Sequence, residues 1–235
     1  MLPDRCMSIA LPSAFALTFR ELLSDEMPIK KRKAGQQGRN MSNSRMNFLK
    51  AITKSVIVAI FTRYTVTKFR LLKGNRVQFG SGFVSNGRLQ IKGPGRVIFG
   101  TNVNAWAHKE PNVLITYSSD VVIKIGDDTR LNGAGLMAAC GITVGCNCIL
   151  GSAVIVDTDF HSIDPDRHAN PDAKVRSASI TISNNVWLAG QTVVLKGVTI
   201  GENSVVGFRG VVTSNVPPNV IVAGNPVRVV KQLGA

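Results

Sequence analysis

Aromatic side chains are scarce in this 235-residue chain, with two Trp, two Tyr and ten Phe making up 6% of it. A core so short of rings must be aliphatic, and 22 glycines give it many corners. Cysteine is equally thin. Cys6, Cys140, Cys146 and Cys148 form no paired CxxC and have no nearby His, which leaves neither a disulfide framework nor a zinc site. They read as small buried apolar side chains. No apolar run is long enough for a bilayer, since Val56–Phe61 falls far short of a span. A signal peptide is also missing, because the apolar stretch Ile9–Phe19 precedes the basic cluster KKRKAGQQGRN instead of following it.

Acidic residues number 14 against 28 Lys and Arg, and the excess is local. Residues 1–76 hold 15 basic and 4 acidic side chains, whereas residues 77–235 hold 13 and 10. The arm has no aromatic interleaving and no nucleic-acid motif, so nucleic acid is not the expected partner. Residues 1–45 read as a basic, disordered tail, or as the product of a start placed before Met41 or Met46. Residues 46–74 read as a helix. Its segment 48–72 mixes apolar side chains with Lys or Arg every few residues. Such a helix either covers the open end of the following domain or rests on anionic lipid as a peripheral membrane contact.

From residue 75 to 235 a different order takes over. Ile182, Leu188, Val194, Ile200, Val206 and Val212 recur every six residues. Four positions beyond each stand Val186, Thr192, Val198, Ser204, Gly210 and Val216, all small or β-branched. Six is neither the helical period of 3.6 nor the strand period of 2. A fixed short repeat means stacked units that bury one another's apolar side chains, a parallel β-helix. The beat extends upstream through Ile125, Leu131 and Met137, then slips by one residue to Val144, Leu150 and Val156. Weaker coils are expected at Phe79–Phe83 and Phe99–Val103.

One stretch breaks the rhythm. Residues 162–179 are polar, contain two Pro and carry no apolar period, and a loop this long in a solenoid is usually functional. His161 stands at its mouth, one of only three histidines. A neutral imidazole there can take a proton from a hydroxyl near pH 7, with Asp157, Asp159 or a backbone carbonyl to hold its second nitrogen. His168 lies mid-loop and His108 lies in AWAHKEPN, a turn outside the beat.

From about Asn75 to Lys231 the chain resembles the hexapeptide-repeat acetyltransferases, in the branch of the galactoside, maltose, xenobiotic and polysaccharide O-acetyltransferases. ITISNNVWLAGQTVVLKGVTIGENSVVG, the ending VPPNVIVAGNPVRVVK and ILGSAVIVDTDFH carry the likeness. The resemblance implies a left-handed parallel β-helix, a homotrimer, and acetyl-CoA bound as substrate between subunits, with no metal. It makes His161 the general base and Gly190 N–H the donor to the thioester carbonyl. It puts Asn132 and Trp187 beside the acceptor cleft, together with Asp157 and Asp159. Thr213, Arg228 and Lys231 fall on CoA-contacting positions, the last two at the 3′-phosphate. Phe208-Arg209 replaces small residues in the pantetheine groove, Ser214 replaces a common Lys, and the helical N-terminal module of the small-sugar enzymes has no match. The implied reaction is direct acetyl transfer to a sugar hydroxyl of a surface polysaccharide or its lipid-linked precursor, in the cytoplasm or at the inner membrane face. A non-catalytic scaffold solenoid and a γ-type carbonic anhydrase are the alternatives, the latter needing three His ligands on stacked coils.

Overall fold

The computed structural model describes residues 40–170 and 173–234, with side chains from Ile52 onward apart from Lys54. The readings of residues 1–39, and of Cys6 among the cysteines, lie outside the described residues. A helix α1 spans Asn40–Lys73, and a short 3-10 turn leads into twenty strands.

The strands stack into three parallel sheets wound as a solenoid. Sheet A comprises β1 (Val77–Phe79), β4 (Arg96–Phe99), β7 (Val122–Ile125), β10 (Ile142–Val144), β13 (Ile180–Ile182) and β16 (Thr199–Ile200). Sheet B comprises β2 (Val84–Ser85), β5 (Asn104–Ala105), β8 (Arg130–Asn132), β11 (Ile149–Gly151), β14 (Trp187–Leu188), β17 (Val205–Val206), β19 (Val220–Gly224) and β20 (Val227–Gln232). Sheet C comprises β3 (Leu89–Lys92), β6 (Asn112–Thr116), β9 (Gly135–Ala138), β12 (Val154–Val156), β15 (Val193–Val194) and β18 (Val211–Val212). Each coil runs A to B to C, and β20 turns back antiparallel on β19 to finish the stack.

The six-residue beat is the length of one strand plus one corner. Ile182, Leu188, Val194, Ile200, Val206 and Val212 all point inward and are buried. Between sheets A and B the corner residue takes a left-handed conformation in coil after coil, at Asn102, Asp128, Asn147, Asn185, Asn203 and Asn219. Asn tolerates that conformation, and its amide also links the coils. Asn185 Nδ2 donates to Asn203 Oδ1 at 2.8 Å, and Asn203 Nδ2 donates to Asn219 Oδ1 at 2.9 Å. Just before four of these corners stands a glycine, Gly100, Gly126, Gly145 or Gly201, where the backbones approach too closely for a side chain. A Cβ on Gly126 would stand 2.5 Å from the Gly145 carbonyl.

The upstream slip falls elsewhere than expected. Leu131 is followed inward by Leu136, and Leu150 by Ile155, each a residue sooner than Leu188 is followed by Val194. The B–C corner is one residue shorter in the two coils β8–β9 and β11–β12. Met137 and Val156 therefore lie on the outer side of sheet C and not in the core. Cys146 and Cys148 are both buried, because a left-handed Asn147 turns the chain between them. Cys140, in contrast to its expected burial, is exposed.

The final turns of α1 lie on the first coil. Phe69 is buried beside Phe79, Thr62 Oγ1 donates to Ser85 O in β2, and Lys73 Nζ donates to Gly93 O just past β3. Thr62–Lys73 thereby lies along that coil, where Phe79 and Phe83 pack with Phe99 of the next coil within 5.3 Å between ring centroids.

Candidate active site

His161 lies beyond β12, where the chain leaves sheet C for the loop 162–179. The loop is tied down at its base. Thr158 bridges Ser177, Asp159 N donates to Arg176 O at 3.0 Å, and Ala178 N donates to Asp157 O at 2.9 Å. Next to His161 the backbone is strained. Phe160 holds a left-handed φ of 61°, and His161 N donates across it to Asp159 O at 2.7 Å, closing a three-residue turn. An edge-on contact with Tyr117, 5.5 Å between ring centroids, helps keep Phe160 there. The imidazole is exposed and makes no hydrogen bond to another described residue.

Neither nearby carboxylate holds that imidazole. Asp157 is fully buried and turned the other way. Its Oδ1 accepts from Ala139 N at 2.6 Å, and its Oδ2 accepts from Cys140 N at 2.8 Å and Gly141 N at 2.7 Å. A carboxylate so occupied does not line a cleft, and the expectation that Asp157 faces the acceptor is corrected. Its charge is felt nearby. Burial and, secondarily, Asp157 raise the Tyr117 hydroxyl above its ordinary pKa. Asp159 pairs with Lys196 across the loop base.

Asn132, Gly190, Phe208 and Arg228 lie along the edge where sheet B turns into sheet C. Asn132 ends β8 on that edge, and its Oδ1 accepts from His108 N at 3.0 Å. Gly190 stands two coils further on, just past β14. Its N–H makes no hydrogen bond to another described residue, while its carbonyl accepts from Arg209 N at 3.0 Å. Phe208 occupies the same corner one coil beyond. The ring is exposed yet lies against Gly190, where an added Cβ would meet its carbons at 3.1 and 3.2 Å. Arg209 fixes the ring from beside it. Its guanidinium stands 5.3 Å from the Phe208 centroid, and its Nε donates to Gln191 Oε1 at 2.7 Å.

Arg228 follows on this edge, paired with Ala223 at the hairpin end of β19–β20. Lys231 lies at the opposite end of β20, across from Ile221, so the two cations are not adjacent. Trp187 is half exposed on the outer face of sheet B, in register with Ile149 and Val205. Thr213 follows β18 at the far edge of sheet C, the edge from which His161 also departs. One chain thus sets His161 and Thr213 on one side of sheet C, and Asn132, Gly190, Phe208 and Arg228 on the other. The three histidines do not stack on neighbouring coils, as zinc ligation of the γ-carbonic anhydrase kind requires: His108 lies at the B–C edge, and His161 and His168 lie on the loop. Sequence reasoning placed a turn at the loop 106–111 but gave no sign that it borders Asn132. Its only local signal is the interruption of the beat at AWAHKEPN.

A solenoid of three-strand coils with one long excursion at a histidine is the architecture of acyltransferases of the hexapeptide-repeat class. Among solved structures, AntD, an N-acyltransferase from Bacillus cereus solved with dTDP and coenzyme A, superposes with a TM-score of 0.53 at 20% identity, covering 72% of this chain and 89% of that one. The polySia-specific acetyltransferase NeuO gives 0.50 at 21% identity, over 68% of this chain and 84% of its own. These likenesses concern the fold. No family model matches the chain. The putative colanic acid biosynthesis acetyltransferase WcaF of Escherichia coli K12 is 30% identical over 139 residues, 57% of this chain and 71% of the relative. Galactoside O-acetyltransferase of the same strain is 36% identical over 131 residues, 55% of this chain, and the match spans 62% of that relative's length. The chain belongs to the hexapeptide-repeat acetyltransferases.

Proposed function

We propose that the protein transfers the acetyl group of acetyl-CoA to a saccharide hydroxyl, in a site completed by two neighbouring copies of a homotrimer. The observation that carries this reading is the B–C edge. There Gly190 offers an unpaired N–H, with Phe208 and then Arg228 following along the stack. Acetyl-CoA lying on this edge has its thioester at Gly190, its pantetheine across the Phe208 ring and its 3′-phosphate near Arg228. His161 leaves the opposite edge of sheet C, so the base that meets this thioester comes from another copy. The outer side of sheet C supports such packing. Beyond β3, which carries Gln90 and Lys92, it presents Val113, Ile115, Met137, Val154, Val193 and Leu195, none of them charged.

In the reaction the acceptor hydroxyl attacks the thioester carbon while His161 takes its proton. The oxyanion of the tetrahedral intermediate is held by Gly190 N–H. Its collapse breaks the C–S bond, and the proton passes from His161 to the departing CoA thiolate. Holding both substrates in one cleft supplies much of the rate, and no acyl-enzyme is needed. Asn132 and Trp187 flank the acceptor, whose source is a surface polysaccharide or its lipid-linked precursor. A cytoplasmic place at the inner membrane face suits that source. Among the described residues no helix is long and apolar enough to cross a membrane. Exposed Ile57, Ile60 and Phe61 suit contact with an apolar or lipid surface.

The reading is tested by mixing the protein with acetyl-CoA and saccharide acceptors and following free thiol. Saturable CoA binding with no transfer to any acceptor points instead to a non-catalytic solenoid. Sedimentation equilibrium is expected to give a trimer at micromolar concentration. A monomer that retains activity rules out the shared site. Arg228→Ala with Lys231→Ala is expected to raise KM for acetyl-CoA by tenfold or more, about 1.5–3 kcal/mol per charge-assisted hydrogen bond. Dephospho-acetyl-CoA, which lacks the 3′-phosphate, should be nearly unaffected. Because Lys231 stands apart from Arg228, the single Arg228→Ala variant should account for most of the loss.

A further inference from the structure

The loop 106–111 continues the B–C edge one coil below Asn132, at the end away from Arg228. It is a six-residue excursion held by its neighbours on both sides. Asn86 Nδ2 donates to Ala107 O at 2.6 Å, and Ala107 N donates back to Asn86 Oδ1 at 3.2 Å. The Arg88 guanidinium spans two carbonyls, with Nη1 donating to His108 O at 2.7 Å and Nη2 to Lys109 O at 2.8 Å. His108 N donates to Asn132 Oδ1 at 3.0 Å, joining the loop to the candidate acceptor residue. These clamps engage the loop's backbone only. The His108 imidazole and the Lys109 ammonium are exposed and bond to no other described residue. A backbone this fixed, presenting free polar heads, is pre-organised to bind.

The charge of the surroundings selects the ligand. Arg88 and Lys109 stand at the loop, and Arg130 projects from the outer face of sheet B in register with Asn104, which precedes it. The loop's own acidic residue, Glu110, lies with its Cβ and carbonyl close to Gly133. Strands within a sheet lie about 4.8 Å apart, so the loop stands three strand spacings, roughly 14 Å, from the coil of Gly190. The donor occupies the edge from Gly190 toward Arg228. An acceptor can then extend only the other way, past Ser152 and Asn132, and its remote part falls on this loop.

We propose that His108 and Lys109 form an anion subsite for the acceptor, which binds a phosphate or carboxylate carried by the saccharide beyond the acetylated ring. This rests on the transferase reading for its purpose, but not for its detection. Glucose 1-phosphate, glucuronate and methyl glucoside are titrated into the full chain by ligand-observed NMR, with acetyl-CoA titrated separately. The expected result is that one or both anions bind at least tenfold more tightly than methyl glucoside. His108→Ala with Lys109→Ala should abolish that preference and leave acetyl-CoA affinity unchanged. Preference for glucose 1-phosphate identifies a sugar phosphate as the natural group, and preference for glucuronate an acidic sugar. The clamping groups are retained in this variant, so its melting curve should match the wild type. Lys109→Gln alone should produce a smaller loss of the same sign. Equal binding of all three sugars, or an anion preference that survives the double substitution, overturns the subsite. Failure of acetyl-CoA to bind overturns the transferase reading instead and leaves the anion result standing.

Discussion

Replacing His161 by alanine is expected to lower kcat by roughly 10²–10⁴, the usual contribution of general base catalysis. The protein should otherwise be unchanged. The imidazole is exposed and bonds to no other described residue, and surface substitutions of this kind shift stability by no more than about 0.5 kcal/mol. Acetyl-CoA affinity should hold, since Gly190, Phe208 and Arg228 supply the donor contacts and the imidazole supplies none. Single-turnover kinetics with a competent acceptor separates the two effects. A variant that keeps near wild-type kcat removes His161 from the chemistry. The left-handed Phe160 beside it gives a companion measurement. Phe160→Gly relaxes the turn without touching the imidazole. It should lower kcat far less than His161→Ala, and any loss should come with altered acceptor KM, because the base is then less well placed.

Asp157→Ala is expected to destabilise the fold by at least about 3 kcal/mol, read from the denaturant midpoint. Three backbone N–H groups converge on this buried carboxylate, and alanine leaves all of them unsatisfied. Asp157→Asn keeps one accepting oxygen but loses the charge, so its loss should be intermediate. Asp157 also stands where the chain departs toward His161, its main-chain carbonyl accepting from Ala178 N at 2.9 Å, so losing the side-chain anchor to three amides loosens that exit. Turnover should therefore fall in the alanine variant even where it remains folded. If Asp157 lined the acceptor cleft, the same substitution would leave the midpoint unmoved and raise acceptor KM alone. The two readings predict opposite results in one titration.

The contrast between Asp157 and His161 shows where sequence reading stops. Both stand in VDTDFH, at the end of a coil, and both are chemically able to serve a hydroxyl transfer. Only the fold turns one inward onto three amides and leaves the other on the strained exit of a loop. Cys146 and Cys148 make the same point. Two residues apart, they would share one face of an extended strand, and whether a corner between them buries both depends on the left-handed Asn147.

The repeat itself was legible from composition and spacing. Few rings, many corners and an apolar residue at every sixth position leave a solenoid as the economical solution, because each coil must bury its apolar side chain against the next. The interruption beside His161 was legible too, as the one long break in the beat. Spacing could not reveal that the B–C corner loses a residue between β8 and β9 and between β11 and β12, which moves Met137 and Val156 from core to outer surface. Nor could it reveal which residues share an edge. Neighbours in a solenoid are about one coil apart in sequence, and the loop shifts that count between Asn132 and Gly190. Residues as distant as His108, Asn132, Gly190, Phe208 and Arg228 come onto one line only when the coils are stacked. The sequence by itself determined the repeat, the aliphatic core and the place of the interruption, since these depend on local pattern. The tertiary structure decided which groups face one another, since that depends on the register between coils.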